Sequence, residues 1–298
     1  MKIGFVVLLA EDQDLGHAPQ YDEIRDMALR AEDAGFDSIW LYDHLLYRPK
    51  DGPTLGIWEC WTMLSALAEA TNRVELGTLV LCNSFRNPAI LAKMAVTLDE
   101  VCNGRFILGI GAGWNKPEYD AFGLPFDHRV GRFEEALQII NPLLKNGQVD
   151  FDGTYYQARE CEITPRGPRE NGPPLMIASF GPRMLRLTAQ YADMWNTGYL
   201  DEPESFKEPL SKLHAACDEV GRDPKTLETT VMLSLAYPEL GEPPRFMEKY
   251  LTGSVNELAQ AMKGYEELGV SHMMFHCAPY NETVLQRLAD SVAAYRNS

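Results

Sequence analysis

The sequence predicts an α/β fold in which a single (β/α)8 TIM barrel with loop insertions occupies residues 1–298. Short runs rich in Val, Ile and Leu alternate eight times with segments of helical periodicity, which is typical of parallel βα units. Eight units in 298 residues match the size of a closed barrel. Glycine-rich and polar segments follow several of the runs, where such a barrel carries its active site.

The strands are predicted from short apolar runs, as expected for strands that are buried on both faces. The first run is far too short to cross a bilayer, so no membrane span is predicted and the run is interpreted as a buried strand. The eight predicted strands lie at 2–9, 38–42, 74–81, 105–110, 175–179, 194–197, 229–236 and 272–277.

An amphipathic segment follows each predicted strand, with apolar residues at helical spacing. Pro88 suits the first turn of the third helix, because its missing N–H is not needed there. The eight predicted helices lie at 21–34, 58–70, 88–101, 132–144, 182–191, 204–220, 255–268 and 281–295.

Two segments exceed the minimal repeat and are interpreted as loop insertions, near 149–174 and 238–250. The first contains Asp152 and Gly153, a common turn pair that predicts a small hairpin. The second contains three prolines and is interpreted as a mobile segment. Neither has the length of a second domain, and each is placed to cover the barrel opening as a lid.

The composition is that of an ordinary globular protein, with 45% hydrophobic and 23% charged residues. The net charge of −16 argues against nucleic acid and anionic membranes as partners and favours a small-molecule substrate. The six cysteines show neither zinc-ligand nor disulfide-scaffold spacing, so no metal site is predicted. Reduced thiols favour a cytoplasmic protein, and a homodimer is the expected assembly.

Asp43 and His44 follow the second predicted strand and are candidate catalytic residues. Histidine exchanges protons near neutral pH, and an adjacent carboxylate can orient its ring. The alternative is that Asp43 caps the following loop and that His44 is an ordinary surface residue. The position at a strand end favours the catalytic interpretation.

Asn83 and Arg86 follow the third predicted strand and are expected at the barrel opening. Gly77 lies within that strand, between β-branched and other apolar residues. A glycine in this position indicates a bulge or a close approach of the backbone. Tight packing against a helix is the alternative.

The fourth strand runs into a glycine-dense loop that contains Ala112 and Gly113. Successive glycines let the backbone turn and present N–H groups to an anion or a flat ring. Trp114 is a candidate pocket wall, and Glu118 is a candidate catalytic carboxylate. The alternative is that the aromatic residues here only pack in the core or in a lid.

The fifth strand leads through Ser179, Phe180 and Gly181 into a helix. The N-terminal N–H groups of that helix suit a phosphate, and Arg183 adds a charge-assisted hydrogen bond. The alternative is an ordinary helix start, with Ser179 as its cap and Pro182 in its first turn. The glycine loop after the fourth strand would line the same rim, which favours the phosphate site.

Together these residues resemble the luciferase-like monooxygenase superfamily of barrel oxidoreductases, and most closely its branch that uses the deazaflavin coenzyme F420. The resemblance covers nearly the whole chain and depends on the order and spacing of several motifs. These motifs are YDH at 42–44, GRFILGIGAGW at 104–114, EY at 118–119, FG at 122–123, RFEEAL at 132–137, PPLMI at 173–177 and YADMWN at 191–196.

The resemblance implies that Asp43 and His44 line the coenzyme ring, with His44 as a proton donor or electrostatic partner in hydride transfer. It also implies a non-proline cis peptide between Leu79 and Val80 that bulges against the ring.

The resemblance further implies a phosphate site in the two loops that follow the fourth and fifth strands. Relatives often carry a glycine pair where this chain has Ala178 and Ser179, so the sequence departs from the family pattern there. The residues expected to bind the cofactor are Leu79, Val80, Asn83, Ala112, Gly113, Trp114, Ser179, Phe180, Gly181 and Arg183.

The implied function is oxidoreduction, with a hydride transferred between coenzyme F420 and a small organic substrate. One alternative is an FMN-dependent monooxygenase, for which a separate reductase supplies reduced flavin. A second alternative, of another class, is a non-catalytic flavin-binding protein. A metal-dependent hydrolase is disfavoured, because no second histidine or carboxylate pair follows the strand-end pattern.

Overall fold

The computed structural model describes residues 1–12, 15–48, 53–244 and 247–298. The strands are β1 (Lys2–Val6), β2 (Ser38–Leu41), β3 (Glu75–Thr78), β4 (Leu81–Cys82), β5 (Phe106–Gly111), β6 (Gln148–Asp152), β7 (Gln157–Glu162), β8 (Leu175–Ala178), β9 (Met194–Thr197), β10 (Glu228–Ala236) and β11 (Val270–Ala278). The helices are α1 (Tyr21–Asp33), α2 (Cys60–Ala70), α3 (Pro88–Val101), α4 (Lys116–Phe122), α5 (Arg129–Asn146), α6 (Pro182–Tyr191), α7 (Lys207–Val220), α8 (Val255–Glu267) and α9 (Glu282–Arg296).

Eight strands form a closed parallel barrel, which confirms the predicted fold class. The hydrogen-bonded order is β3-β2-β1-β11-β10-β9-β8-β5, and pairing of β3 with β5 closes the ring. β4 continues the line of β3 in the barrel wall and also pairs with β5. Because the barrel pairs are parallel, the strands deliver their carboxyl ends to one opening.

Six buried apolar side chains fill the barrel interior below this opening. They are Val6, Trp40, Ile107, Met176, Met194 and Met274. A Cβ at Gly77 would overlap the ring of Trp40, which is completely buried. Gly77 therefore serves close packing, and its partner is an indole on the neighbouring strand rather than a helix.

The barrel strand that β3 and β4 form together is interrupted, whereas the sequence predicts one continuous strand at 74–81. β3 ends and β4 begins on either side of Leu79 and Val80, and the peptide bond between these two residues is cis. The predicted cis peptide is thus confirmed. The predicted continuity is wrong, because the run of apolar residues does not reveal where pairing stops.

The hairpin predicted in the first insertion is confirmed. β6 and β7 pair antiparallel on either side of a turn at 153–156. The carboxylate of Glu135 in α5 accepts three backbone N–H groups of this turn at 2.7–3.0 Å, from Thr154, Tyr155 and Tyr156. Glu135 therefore anchors the hairpin turn to α5, and Arg132 adds a contact 4.5 Å above the Tyr155 ring.

The second predicted insertion, near 238–250, follows β10. Residues 245 and 246 lie outside the described residues. Beyond them, Leu251 forms a parallel bridge with Leu235 of β10, so the chain returns to the barrel wall before α8.

Three helical segments differ most from the prediction. α5 begins at Arg129, three residues earlier than predicted, and continues past Pro142 to Asn146. The sequence pattern does not predict α4, because seven residues are too few for a recognisable helical period. The helix predicted at 204–220 begins as a 3₁₀ turn and becomes α-helical at Lys207. Within the described ranges, no helix is long and apolar enough to span a membrane.

Candidate active site

An imidazole and a carboxylate, each predicted separately as a catalytic residue, pair at the barrel opening, beyond the ends of β2 and β5. His44 Nδ1 lies 2.9 Å and 3.1 Å from the two carboxylate oxygens of Glu118. The side chain of Glu118 is 2% exposed and that of His44 is 21% exposed, so the carboxylate lies behind the imidazole. The fold thus joins two predicted catalytic residues that are 74 positions apart.

Glu118 is held by the loop that carries His44. Its Oε1 accepts the backbone N–H of Leu45 at 2.8 Å and that of Leu46 at 3.2 Å. An ionised carboxylate only accepts hydrogen bonds, so Nδ1 of His44 carries the shared proton. Nε2 of His44 has no hydrogen-bond partner among the described residues, and it is the ring nitrogen that can exchange a proton with a bound molecule.

Asp43 does not orient His44, which corrects the interpretation of the two as an adjacent pair. Its completely buried carboxylate accepts the N–H of Cys82 at 2.9 Å and two guanidinium bonds from Arg86 at 2.7 Å and 3.1 Å. Successive side chains of an extended segment point in opposite directions. Residue 43 therefore turns toward β4 and residue 44 turns toward α4.

Arg86 joins two carboxylates beneath the opening. Besides Asp43, Arg86 contacts Glu59 at 2.5 Å. Glu59 caps the first turn of α2. Burial lowers the pKa of Arg86, but the hydrogen bonds and charges of Asp43 and Glu59 outweigh burial and raise its pKa. The network fixes the end of β2 to α2 and the segment after β4.

Aromatic side chains surround His44. Trp114 lies with its ring centroid 5.7 Å from that of His44 and nearly perpendicular to it. Tyr42 and Tyr47 lie at centroid distances of 6.3 Å and 6.4 Å. Trp114 is 61% exposed, so it does not pack in the core.

A second imidazole at the opening, His276 of β11, is absent from the predicted site. Its ring centroid lies 6.1 Å from that of Tyr42, and the ring of His44 lies 6.3 Å from the same tyrosine. Burial lowers the pKa of His276 to about 4, although the charge of Asp12 acts in the opposite direction. His276 lies near the carboxyl end of β11, the last barrel strand in the sequence, and this position is the sequence signal that could have identified it.

The glycine loop after β5 is held in one conformation. Gly113 has a φ of +76°, in the left-handed region that favours glycine, and a Cβ there would overlap the Tyr119 hydroxyl and Cys82 Sγ. Tyr119 donates to the carbonyl of Ala112 at 3.2 Å, and Arg129 donates to the carbonyl of Gly113 at 2.5 Å. The predicted loop residues are therefore fixed by protein contacts from two sides.

The loop after β8 follows the neighbouring strand, so the two predicted phosphate loops are adjacent. The interpretation of Ser179 as a helix cap is wrong. Its hydroxyl lies 2.8 Å from that of Thr188, whereas Gly181 occupies the cap position and Pro182 begins α6. Ser179 is buried, its N–H donates to the Asn196 carbonyl at 3.2 Å and its carbonyl accepts the Trp195 indole N–H at 3.1 Å. Its hydroxyl and its backbone N–H are therefore both engaged, which does not support the prediction that Ser179 binds a phosphate.

Phe180 and Arg183 lie on the outside of the same rim. Phe180 is 55% exposed, and its ring centroid lies 6.0 Å from that of Tyr199. Arg183 forms an ion pair with Glu134 of α5 at 2.5 Å. Both side chains are therefore reachable from solvent, and Arg183 would have to exchange its partner to contact an anion.

Asn83 lies directly after β4 and is 1% exposed. Neither atom of its side-chain amide makes a hydrogen bond, although the Tyr156 hydroxyl is nearby. Buried amides are normally paired, so an unpaired one indicates a place for a ligand atom. Leu79 and Val80 pack on the interior cluster at the same end of the barrel.

The described part of the chain contains no group of three or more His, Cys, Asp or Glu side chains arranged to hold a metal ion. The six cysteines are all free. The chemical groups gathered at the opening are instead an imidazole backed by a carboxylate, an unpaired amide, aromatic rings and backbone N–H groups.

Residues 1–239 match the family model of the luciferase-like monooxygenases. A phthiodiolone/phenolphthiodiolone dimycocerosates ketoreductase from Mycobacterium sp. (strain JLS) is 33% identical over 215 residues, covering 66% of this chain and 56% of that protein. An F420-dependent glucose-6-phosphate dehydrogenase from Microbacterium testaceum is 33% identical over 224 residues, covering 72% and 64%. The chain thus matches less than two thirds of the length of these relatives.

A solved structure of an F420-dependent secondary alcohol dehydrogenase, in complex with an F420-acetone adduct, has a TM-score of 0.82 to this chain. The two share 22% sequence identity, and the match covers 99% of each. At this identity the comparison shows a common fold. Since the family model covers most of its length, the chain belongs to the luciferase-like monooxygenase family of enzymes, as its motifs predict.

Proposed function

We propose that this protein transfers a hydride between coenzyme F420 and a small organic substrate that carries a carbonyl group or a secondary alcohol. The observation that carries the proposal is the His44–Glu118 pair at the barrel opening, with Nε2 of the imidazole unpaired. The ketoreductase and the two F420-dependent dehydrogenases among the similar proteins support it. We also propose that residues 1–298 act as one barrel domain.

The residues at the opening fit a flat ring that carries polar edges and an anionic group. The buried amide of Asn83 offers an unpaired donor and an unpaired acceptor. Leu79 and Val80 offer an apolar surface above the interior cluster. At Gly181 no protein atom lies within 4 Å of where a Cβ would stand, so an anion can approach its backbone. When bound, the deazaflavin would supply the carbon that gives or accepts the hydride.

The protein's own contribution is proton transfer and positioning. When an alcohol is oxidised, Nε2 of His44 accepts the hydroxyl proton, and the imidazolium that forms is stabilised by Glu118 through Nδ1. When a carbonyl is reduced, the same Nε2 donates a proton to the oxygen. Trp114 packs against the imidazole nearly perpendicular to it and helps to fix the orientation of the ring.

The test compares coenzymes and then removes the proposed acid–base group. The apoprotein is titrated in parallel with F420 and with FMN by fluorescence, and a panel of ketones and secondary alcohols is followed through the deazaflavin absorbance. We expect tighter binding of F420 and turnover that falls about 10²-fold or more in His44→Ala while F420 still binds. Oxygen-dependent turnover with reduced FMN and a reductase, without turnover of F420, would overturn the proposal in favour of a monooxygenase.

A further inference from the structure

A surface groove of about 600 Å³ lies beside the barrel opening. It is formed by the first half of α5, the turn of the β6–β7 hairpin and the start of α6. Its lining includes Phe126, Arg129, Gly131, Glu134, Tyr155 and Arg183. The groove is outside the His44 site and takes no part in the proton transfer proposed above.

The groove begins at the two predicted phosphate loops. Arg129 lines it and donates to the carbonyl of Gly113 in the first loop. Arg183 lines it from the first turn of α6, directly after the second loop. A molecule whose phosphate lies between these loops therefore has a path along the groove for whatever is attached to that phosphate.

One cation of the groove, Arg129, has no carboxylate partner among the described residues. Glu135 is occupied by three backbone N–H groups of the hairpin turn, and Glu134 is paired with Arg183. Arg129 donates only to a neutral carbonyl and lies 4.2 Å above the ring of Phe126. Within the described ranges no carboxylate lies within ion-pair distance of Arg129. A guanidinium without a carboxylate partner favours an anionic ligand, and it does so locally against the net charge of −16 of the whole chain.

We infer that this groove binds the acidic tail of the deazaflavin coenzyme, the lactyl-oligoglutamate that follows its phosphate. The inference rests on the proposed function and adds to it a site for the part of the coenzyme that takes no part in hydride transfer. Arg129 binds a tail carboxylate directly, and Arg183 binds another after it releases Glu134. FMN has no such tail, so the groove selects for F420 over FMN.

The experiment measures Kd by deazaflavin fluorescence for three ligands that share one ring. They are the phosphorylated precursor of F420, which carries the phosphate but no tail, F420 with a short tail, and F420 with a long tail. For the wild type we expect affinity to rise in that order. Arg183→Gln should weaken binding of tailed F420 about tenfold and leave binding of the precursor unchanged. Arg129→Gln should weaken binding of tailed F420 more than binding of the precursor, because Arg129 also holds the Gly113 carbonyl.

Two further variants sharpen the test. Glu134→Gln frees Arg183 from its competing carboxylate, so binding of tailed F420 should become several-fold tighter. Arg186→Gln is the matched control, because Arg186 is exposed on the same helix and pairs with Glu219 outside the groove. It should change no Kd.

The outcomes separate this inference from the proposed function. Equal affinity of the wild type for all three ligands, or an equal loss for precursor and tailed F420 in Arg183→Gln, overturns the tail site and leaves the proposed function standing. A wild type that binds none of the three overturns both.

Discussion

Glu118 Oε1 lies 2.9 Å from Nδ1 of His44 and also accepts the backbone N–H of the next residue, Leu45, at 2.8 Å. One buried carboxylate thus fixes both the imidazole and the loop that carries it. α4 brings this carboxylate to the opening within its first turn. The short helix after the glycine loop is therefore part of the candidate active site.

Replacing Glu118 with glutamine tests this relationship. The amide keeps a hydrogen-bonding side chain behind His44 but removes the negative charge that stabilises the imidazolium. We expect kcat for a secondary alcohol to fall by about 10²-fold, with Kd for F420 changed less than threefold. Stopped-flow reduction of F420 and a fluorescence titration measure the two quantities.

Asp120→Asn supplies the matched control for Glu118→Gln. Asp120 lies on the same helix but is exposed and pairs with Lys116. This variant should behave as the wild type. An unchanged kcat in Glu118→Gln would show that the carboxylate serves only folding.

Arg86→Met is expected to destabilise the protein by about 3 kcal/mol. The substitution leaves the buried carboxylate of Asp43 without its cationic partner, and an uncompensated buried charge is costly. Asp43→Asn in the same background should restore part of the loss, because the charge is then removed. Urea unfolding of the single and double variants measures the coupling.

Arg186→Met controls for the loss of a surface arginine, since its pair with Glu219 is exposed and such pairs contribute about 0–1 kcal/mol. A cost for Arg86→Met no larger than that of Arg186→Met would contradict the structural role given to the buried network.

Most of the barrel was predictable because its strands are separate apolar runs and its helices are amphipathic. The interruption at Leu79 and Val80 has no signature in hydrophobicity, and only the family resemblance indicated it. α4 was beyond prediction, because seven residues that include a proline and lie beside a glycine loop do not show a helical period.

The site was predictable in its residues but not in their pairing. His44 was identified from its position after a strand and Glu118 from its position behind the glycine loop, yet sequence proximity suggested Asp43 as the partner of His44. Pairing across 74 positions depends on which way each side chain leaves the backbone. Arg129 and His276 were missed, since one lies before the predicted helix start and the other was counted only as part of a strand.

The unfolding free energy should decrease on acidification below about pH 6.5 because of His272. Trp40 Nε1 donates to the Ser38 hydroxyl, which lies 2.6 Å from His272 Nε2. The other ring nitrogen of His272, Nδ1, is buried without a hydrogen-bond partner among the described residues, so a second proton on the ring would leave a buried charged donor unpaired. Burial lowers the pKa of His272 from 6.5 to about 3, and the charges of Lys2 and the N-terminus act in the same direction.

Between these two pH values the unfolded chain binds a proton at His272 that the folded protein does not. Each pH unit of acidification therefore removes about 1.4 kcal/mol of stability through this residue. Urea unfolding at pH 7 and at about pH 5 should show a smaller loss for His272→Gln than for the wild type. His214→Gln, at an exposed position of α7, should keep the wild-type dependence, and equal losses in all three proteins would refute the assignment.

Gly113→Ala and Gly123→Ala form a pair that separates backbone conformation from steric overlap. Both glycines have positive φ, +76° and +69°, so each alanine meets a similar backbone cost of about 1 kcal/mol. At Gly123 nothing lies within 4 Å of the new Cβ, whereas at Gly113 it overlaps the Tyr119 hydroxyl and Cys82 Sγ.

Gly113→Ala should therefore lose about 1–3 kcal/mol more stability than Gly123→Ala, the usual cost of overpacking. It should also weaken F420 binding, because Tyr119 and Arg129 hold the adjoining carbonyls of the same loop. Urea unfolding and fluorescence titration of both variants test the two expectations. Equal stability of the two variants would mean that Tyr119 moves aside without cost, and the glycine loop would then be more adaptable than its contacts indicate.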